Sequence, residues 1–123
     1  MTVAVDFDGV IHAYTKGWQN GEIYDPPLPG AFEALDLLMA SHAVFIHTSR
    51  APEQVARWLI DNAPDDMALS VTYEMAAGQE FWNERDVLLV TSRKLPAQVY
   101  IDDRGLHFRS WEQTLLELGR RGI

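Results

Sequence analysis

Asp6 and Asp8 stand two residues apart, directly after the apolar run Val3-Ala4-Val5 and just before Gly9. A carboxylate at the end of a buried strand is costly unless it is used. Thr48 and Ser49 follow a second apolar run, Ala43 to His47, and Asp102-Asp103 close a third, Ala97 to Ile101. Carboxylates that share one rim repel each other unless a cation holds them or some are protonated. Oxygen ligands on a partly open rim suit Mg²⁺, which keeps several waters and takes a few carboxylates plus substrate phosphate. That ion points to phosphoryl chemistry, in which a carboxylate such as Asp6 attacks phosphorus as a covalent nucleophile. Asp8 is then placed to protonate the leaving oxygen and later to deprotonate the attacking water. Thr48 and Lys94 are candidates for holding the phosphoryl oxygens, the lysine as a point charge.

For these residues to meet, the chain must bring the ends of three strands together. Val3 to Phe7 is apolar and rich in β-branched residues, which predicts a buried strand. Val10 to Pro29 has scattered Gly, Pro, Asn and Asp without a period and reads as an excursion or flap. Ala31, Leu35, Leu38 and Met39 fall on one helical face. Pro52 suits the first turn of a second helix, with Val55, Trp58, Leu59 and Asn62 as its stripe. Between 63 and 85 the pattern is weak; Leu69 to Tyr73 predicts a short strand and Gln79 to Glu84 a helical turn. Val87 to Thr91 and Ala97 to Ile101 are strands, with Leu106 to Phe108 as a short edge strand. Ser110-Trp111-Glu112-Gln113 matches a capping box and opens a last helix striped by Trp111, Leu115 and Leu118. Apolar strands alternating with helices predict an α/β fold, with a mostly parallel sheet covered on both faces. In such sheets ligands bind beyond the carboxyl ends of the strands, where these polar residues lie.

The chain has 123 residues, which predicts a single domain over 1–123. Ten Lys+Arg against 18 Asp+Glu leave a net charge of −8, which argues against a general grip on nucleic acid or an anionic membrane. No cysteine is present, so disulfides, thiolate nucleophiles and Cys-ligated metals are excluded. No apolar run reaches the length of a membrane span, and Asp6 and Asp8 interrupt any signal-peptide core. A cytoplasmic location is the expectation.

With those motifs in place, Asp6-Phe7-Asp8-Gly9-Val10 resembles the first motif of the haloacid dehalogenase (HAD) superfamily. Phe45-Ile46-His47-Thr48 resembles its second, Lys94 its third, and Val99-Tyr100-Ile101-Asp102-Asp103 its fourth. They come in the family's order and span residues 6 to 103. The resemblance implies a Rossmann-like three-layer sandwich and a phosphatase working through a phospho-aspartyl intermediate on Asp6. It implies phosphate binding by Thr48, Ser49 and Lys94. It also implies a Mg²⁺ site made by Asp6, the backbone carbonyl of Asp8, Asp102 and Asp103, the last direct or through water. Lys94 lies only eight positions before Asp102, without room for the helix that often carries the family's lysine, so Arg93 or Arg50 could share its role. Neither insertion point holds a cap domain, which implies a phosphorylated substrate that can be large or extended.

Two other readings compete. A receiver domain also uses Asp, Mg²⁺, Thr/Ser and Lys, but places its acidic pair early and its lysine late, the reverse of this chain. A catalytically silent HAD-like binding module would keep the fold without turnover. The four histidines, 12, 42, 47 and 107, have no metal-ligand spacing and read as structural or solvent-facing. Trp58 and Trp111 read as core, while Trp18 and Trp82, in irregular segments, are candidates to face substrate.

Overall fold

A computed structural model describes residues 1–123. Five strands form one all-parallel sheet: β1 (Thr2–Asp6), β2 (Ala43–His47), β3 (Val71–Thr72), β4 (Leu88–Thr91) and β5 (Val99–Ile101). Three helices accompany them: α1 (Ala31–Met39), α2 (Pro52–Asn62) and α3 (Trp111–Arg120). The strand order is β3-β4-β2-β1-β5. The chain leaves β1 toward β2 and returns last to β1's other side as β5, so the sheet's switch point falls at Asp6. Register fixes the rim. Asp6 is level with His47 and His47 with Thr91, while Val5 pairs with Ile101, so that Asp102 continues at the level of Asp6.

One face of the sheet is closed by helices. Phe32 and Leu35 of α1 and Val55, Ala56 and Leu59 of α2 pack on Val3, Val5, Val44, Ile46, Leu88 and Val90. Fully burying a side chain of this size contributes about 1.5–3 kcal/mol. Of the predicted α1 stripe Leu35 is buried, and Trp58 of α2 lies against the core edge-on to Phe7, at 5.3 Å between ring centroids.

The second face departs from the expected sandwich. Ala4, Phe45 and Leu89 are covered by Trp82 and Leu95, which come from irregular segments, and not by a helix. The helical turn predicted over Gln79 to Glu84 is absent. The Gln79 side chain accepts from the Ala76 amide at 3.1 Å and donates to the Phe81 carbonyl at 2.9 Å, taking up backbone groups that a helix would use. Trp82, expected to face substrate, is 3 % exposed, with Nε1 donating to the Val87 carbonyl. Leu69 to Tyr73 shrinks to the two-residue β3, and Leu106 to Phe108 forms no strand.

The last helix is capped as predicted, Ser110 Oγ accepting from the Gln113 amide at 3.2 Å. Its stripe is another correction. Trp111 is 69 % exposed, and no residue of α3 is buried. A stripe buries only against a facing surface, and β5 is a three-residue edge strand whose Val99 and Ile101 are themselves exposed. Trp111 packs instead on Phe108, 5.3 Å away. No helix is long and apolar enough to cross a membrane.

Candidate active site

β1 ends at Asp6, and the chain then folds back sharply on itself. The amides of Val10, Ile11 and His12 all donate to the Phe7 carbonyl, and the Gly9 amide donates to the His12 carbonyl at 2.8 Å. This turn needs φ of +84° at residue 9, which glycine adopts without strain. It also needs the missing side chain: a Cβ on Gly9 would stand 2.8 Å from Asp103 Cγ and collide with the carboxylate oxygen. The tight turn therefore brings the loop after β1 against the loop after β5.

Carboxylate oxygens of Asp6, Asp102 and Asp103 all lie within 4.8 Å of one another. Asp6 is half-buried and the other two are exposed. Asp6 Oδ1 accepts from the Phe7 amide at 2.9 Å. Asp102 Oδ1 accepts from the amides of Arg104, at 2.6 Å, and Gly105, at 3.0 Å, which sets the turn after β5. No lysine, arginine or histidine pairs with any of the three. Burial pushes the Asp6 carboxyl above its ordinary range. The Phe7 amide pulls it partly back, and the charges of Asp102, Asp103 and Asp8 push it further up. Three convergent carboxylate oxygens without a cationic partner form a group that could hold a metal ion.

Asp8 points elsewhere. Its carboxylate accepts from Arg50 Nε at 2.9 and 3.2 Å and from His12 Nδ1 at 2.8 Å. His12 is fully buried, and its Nε2 accepts from the Asp25 amide at 3.0 Å. That nitrogen carries no hydrogen, so Nδ1 bears the proton and donates it to Asp8. His12 lies near the site in sequence, and without metal-ligand spacing it reads there as structural or solvent-facing; the structure puts it in contact with Asp8. The signal that could have found it is its position four residues after Asp8, within reach across a tight turn. Arg50, a candidate phosphate ligand from its sequence position, gives Nε to Asp8 and Nη1 to the Gly21 carbonyl, while its buried Nη2 has no hydrogen-bond partner.

Asp6, Asp8, Thr48, Ser49, Asp103 and Arg104 share one cavity of about 140 Å³ with Tyr14 and Trp18. Thr48 is buried at the end of β2, its Oγ1 accepting from the Arg50 amide at 3.0 Å; Ser49 is exposed. A larger hollow of about 480 Å³ runs along α2 past Ile23, Trp58 and Asp61, and none of the strand-end carboxylates lines it. Its size says nothing about chemistry; the smaller cavity has the reactive groups.

The structure does not bring Lys94 into this cavity. Its Nζ lies 5.6 Å from the Tyr100 ring centroid, over the strand beside β1, and the residue is exposed. Arg93 is turned away, donating to the Gln79 carbonyl at 2.9 Å. The cation that lines the cavity is Arg104, which the sequence reading did not single out.

The flap keeps its shape through Asp25, whose Oδ2 accepts from the Thr15 amide at 2.6 Å and from Thr15 Oγ1 at 2.7 Å. The amide foremost, then the hydroxyl, holds the Asp25 carboxyl below its ordinary range. A carboxyl with a lower pKa folded than unfolded stabilises above its unfolded value, about 3.9, and the contribution is lost as pH falls through the native one. In an acid titration followed by NMR, the Thr15 amide resonance is expected to move below about pH 4. The movement should vanish in Asp25→Asn.

Compared with protein-family models, with curated proteins and with solved structures, the chain matches none.

Proposed function

We propose that the chain is a HAD-like phosphomonoester hydrolase without a cap domain. The observation that carries this reading is the division of labour at the switch point. Three carboxylates converge without a cation, and a fourth, Asp8, is turned aside by two side-chain donors and faces the same cavity.

In this reading Asp6, Asp102 and Asp103, with the Asp8 carbonyl, hold Mg²⁺, which when bound offsets negative charge on the phosphoryl group. Asp6 is the nucleophile: its free oxygen bonds to phosphorus as the ester bond to the leaving oxygen breaks. Asp8 gives its proton to that leaving oxygen. A water then attacks phosphorus and passes a proton back to Asp8, and the bond from phosphorus to Asp6 breaks. Thr48, Ser49 and Arg104 steady the phosphoryl oxygens. Lys94 stands over Tyr100, does not line the cavity and has no part in this arrangement. Tyr14, Trp18 and Arg104 are the large side chains lining the cavity and no cap domain covers it, so the leaving group projects outward and can be large.

The test is a set of phosphate esters assayed with Mg²⁺ and with EDTA. Turnover that EDTA abolishes supports the reading, and no turnover on any ester refutes it. Within the same assay, Asp8→Asn is expected to slow hydrolysis by about 10²–10⁴-fold, the usual worth of general acid/base help. Mg²⁺ affinity, measured by calorimetry, should stay close to wild type, because the Asp8 side chain is not in the three-carboxylate cluster. A collapse of Mg²⁺ affinity would mean that the roles of Asp6 and Asp8 are exchanged.

A further inference from the structure

Arg50 and His12 have no part in the chemistry written above, yet each is almost wholly buried and each hydrogen-bonds the Asp8 carboxylate. A buried guanidinium is tolerated when it is paired, and Asp8 is the one carboxylate that pairs with Arg50. Both residues are gripped on the far side by the flap. Arg50 Nη1 donates to the Gly21 carbonyl at 2.7 Å, and His12 Nε2 accepts from the Asp25 amide at 3.0 Å. The Trp18 ring lies 4.6 Å from the guanidinium carbon and that of Tyr14 5.8 Å. Gln54 Nε2 donates to the same Gly21 carbonyl at 3.1 Å and fastens the flap to α2. The carboxylate of Asp8 is thus held from two directions, and both holders are themselves positioned by residues 14–25.

The contacts are unequal on the two oxygens. Oδ1 accepts from His12 and, at 3.2 Å, from Arg50; Oδ2 accepts from Arg50 alone. A carboxylate oxygen has two lone pairs, so Oδ2 keeps one open. A proton carried at that open position would be free to pass to a leaving oxygen.

We propose that Arg50 and His12 are positioning residues that aim Asp8 Oδ2 at the leaving oxygen, and that the flap, by gripping both, sets that aim. The inference rests on the hydrolase reading. The proton step is unchanged: it moves from Asp8 Oδ2 to the leaving oxygen as the ester bond breaks, and returns from water in the second half.

The experiment is a series of phenyl phosphates of similar shape, differing in ring substituent, assayed in Mg²⁺ on wild type, Asp8→Asn, Arg50→Lys and His12→Asn. A good leaving group such as p-nitrophenolate departs with little help from an acid; unsubstituted phenolate needs it. In Arg50→Lys and His12→Asn, kcat for phenyl phosphate is expected to fall by about 10²-fold, with p-nitrophenyl phosphate falling less than about tenfold. KM should change little, and the leaving-group dependence should steepen as in Asp8→Asn. A purely structural role would lower both esters alike, and that outcome overturns the proposal while leaving the hydrolase reading in place. Hydrolysis of none of the series by wild type overturns both. Melting curves identify a variant that fails to fold. Trp18→Leu guards against that result: Trp18 is half exposed, and its loss frees the stacked face of Arg50 while opening the cavity lining equally to both esters. The same steepening in smaller degree is expected there, and an equal loss on both esters counts against the proposal.

Discussion

Replacing Asp6 by asparagine is expected to abolish Mg²⁺-dependent ester hydrolysis, by about 10⁴-fold or more, the scale on which loss of a nucleophile acts in other hydrolases. The amide is neither a competent nucleophile nor an anionic ligand. The fold should survive, because Asn Oδ1 can still accept from the Phe7 amide, which Asp6 Oδ1 does at 2.9 Å. Metal-free stability should not fall. Burial and the neighbouring carboxylates raise the Asp6 pKa in the folded chain. A carboxyl with a higher pKa folded than unfolded makes the native state bind the extra proton, so stability declines as pH rises through that range. Asp6→Asn removes this penalty, and its melting temperature without metal should match or exceed wild type near neutral pH. Full activity in the variant, or activity indifferent to EDTA, would end the nucleophile assignment.

The second large effect is expected at Asp102, read through stability and not through rate. If the rim holds Mg²⁺ as proposed, the ion binds the folded chain and not the unfolded one, so it should raise the melting temperature of wild type. At 100 times its dissociation constant the gain is about 2.7 kcal/mol. Asp102→Asn removes one ligand and one charge from the cluster. Its Oδ1 can still accept from the amides of Arg104 and Gly105, so the turn after β5 is retained. The metal-free variant should therefore be as stable as wild type or more so, with a smaller Mg²⁺ shift and lower activity. Because Asp102 and Asp103 are exposed while Asp6 is half-buried, the relief is expected to act mainly through Asp6. Paired thermal melts, with and without excess Mg²⁺, measure it. An unchanged Mg²⁺ shift would reduce Asp102 to a turn residue.

What the sequence makes legible is what period and strand-end polarity can carry. The strands at Ala43–His47 and Val87 to Thr91 are apolar throughout because both faces are covered, and their placement is correct to within a residue. Asp6, Asp8, Thr48, Ser49 and Asp103 converge because parallel strands end on one rim. What is not legible depends on partners distant in sequence. Nothing near Arg50 announces that it will reach across 42 positions to Asp8, and nothing in the amphipathic stripe of α3 says that β5 is too short to receive it. Trp82 looked free because its segment has no period, yet its indole finds the Val87 carbonyl and closes the second face. Lys94 shows the same limit: its order in the chain matched a motif, while its place in space is set by Tyr100.

Gly9 has a bearing on how such a site could be lost. It carries no reactive group, yet the volume that its side chain would fill belongs to the Asp103 carboxylate. A single methyl group there would force that carboxylate to shift and would also strain a backbone held at φ of +84°. Inactivation by that route would leave Asp6, Asp8, Thr48, Asp102 and Asp103 all in the sequence. In the hydrolase reading, a descendant of this chain could therefore carry an intact set of acidic motifs and be inert, with residue 9 as the mark of the change.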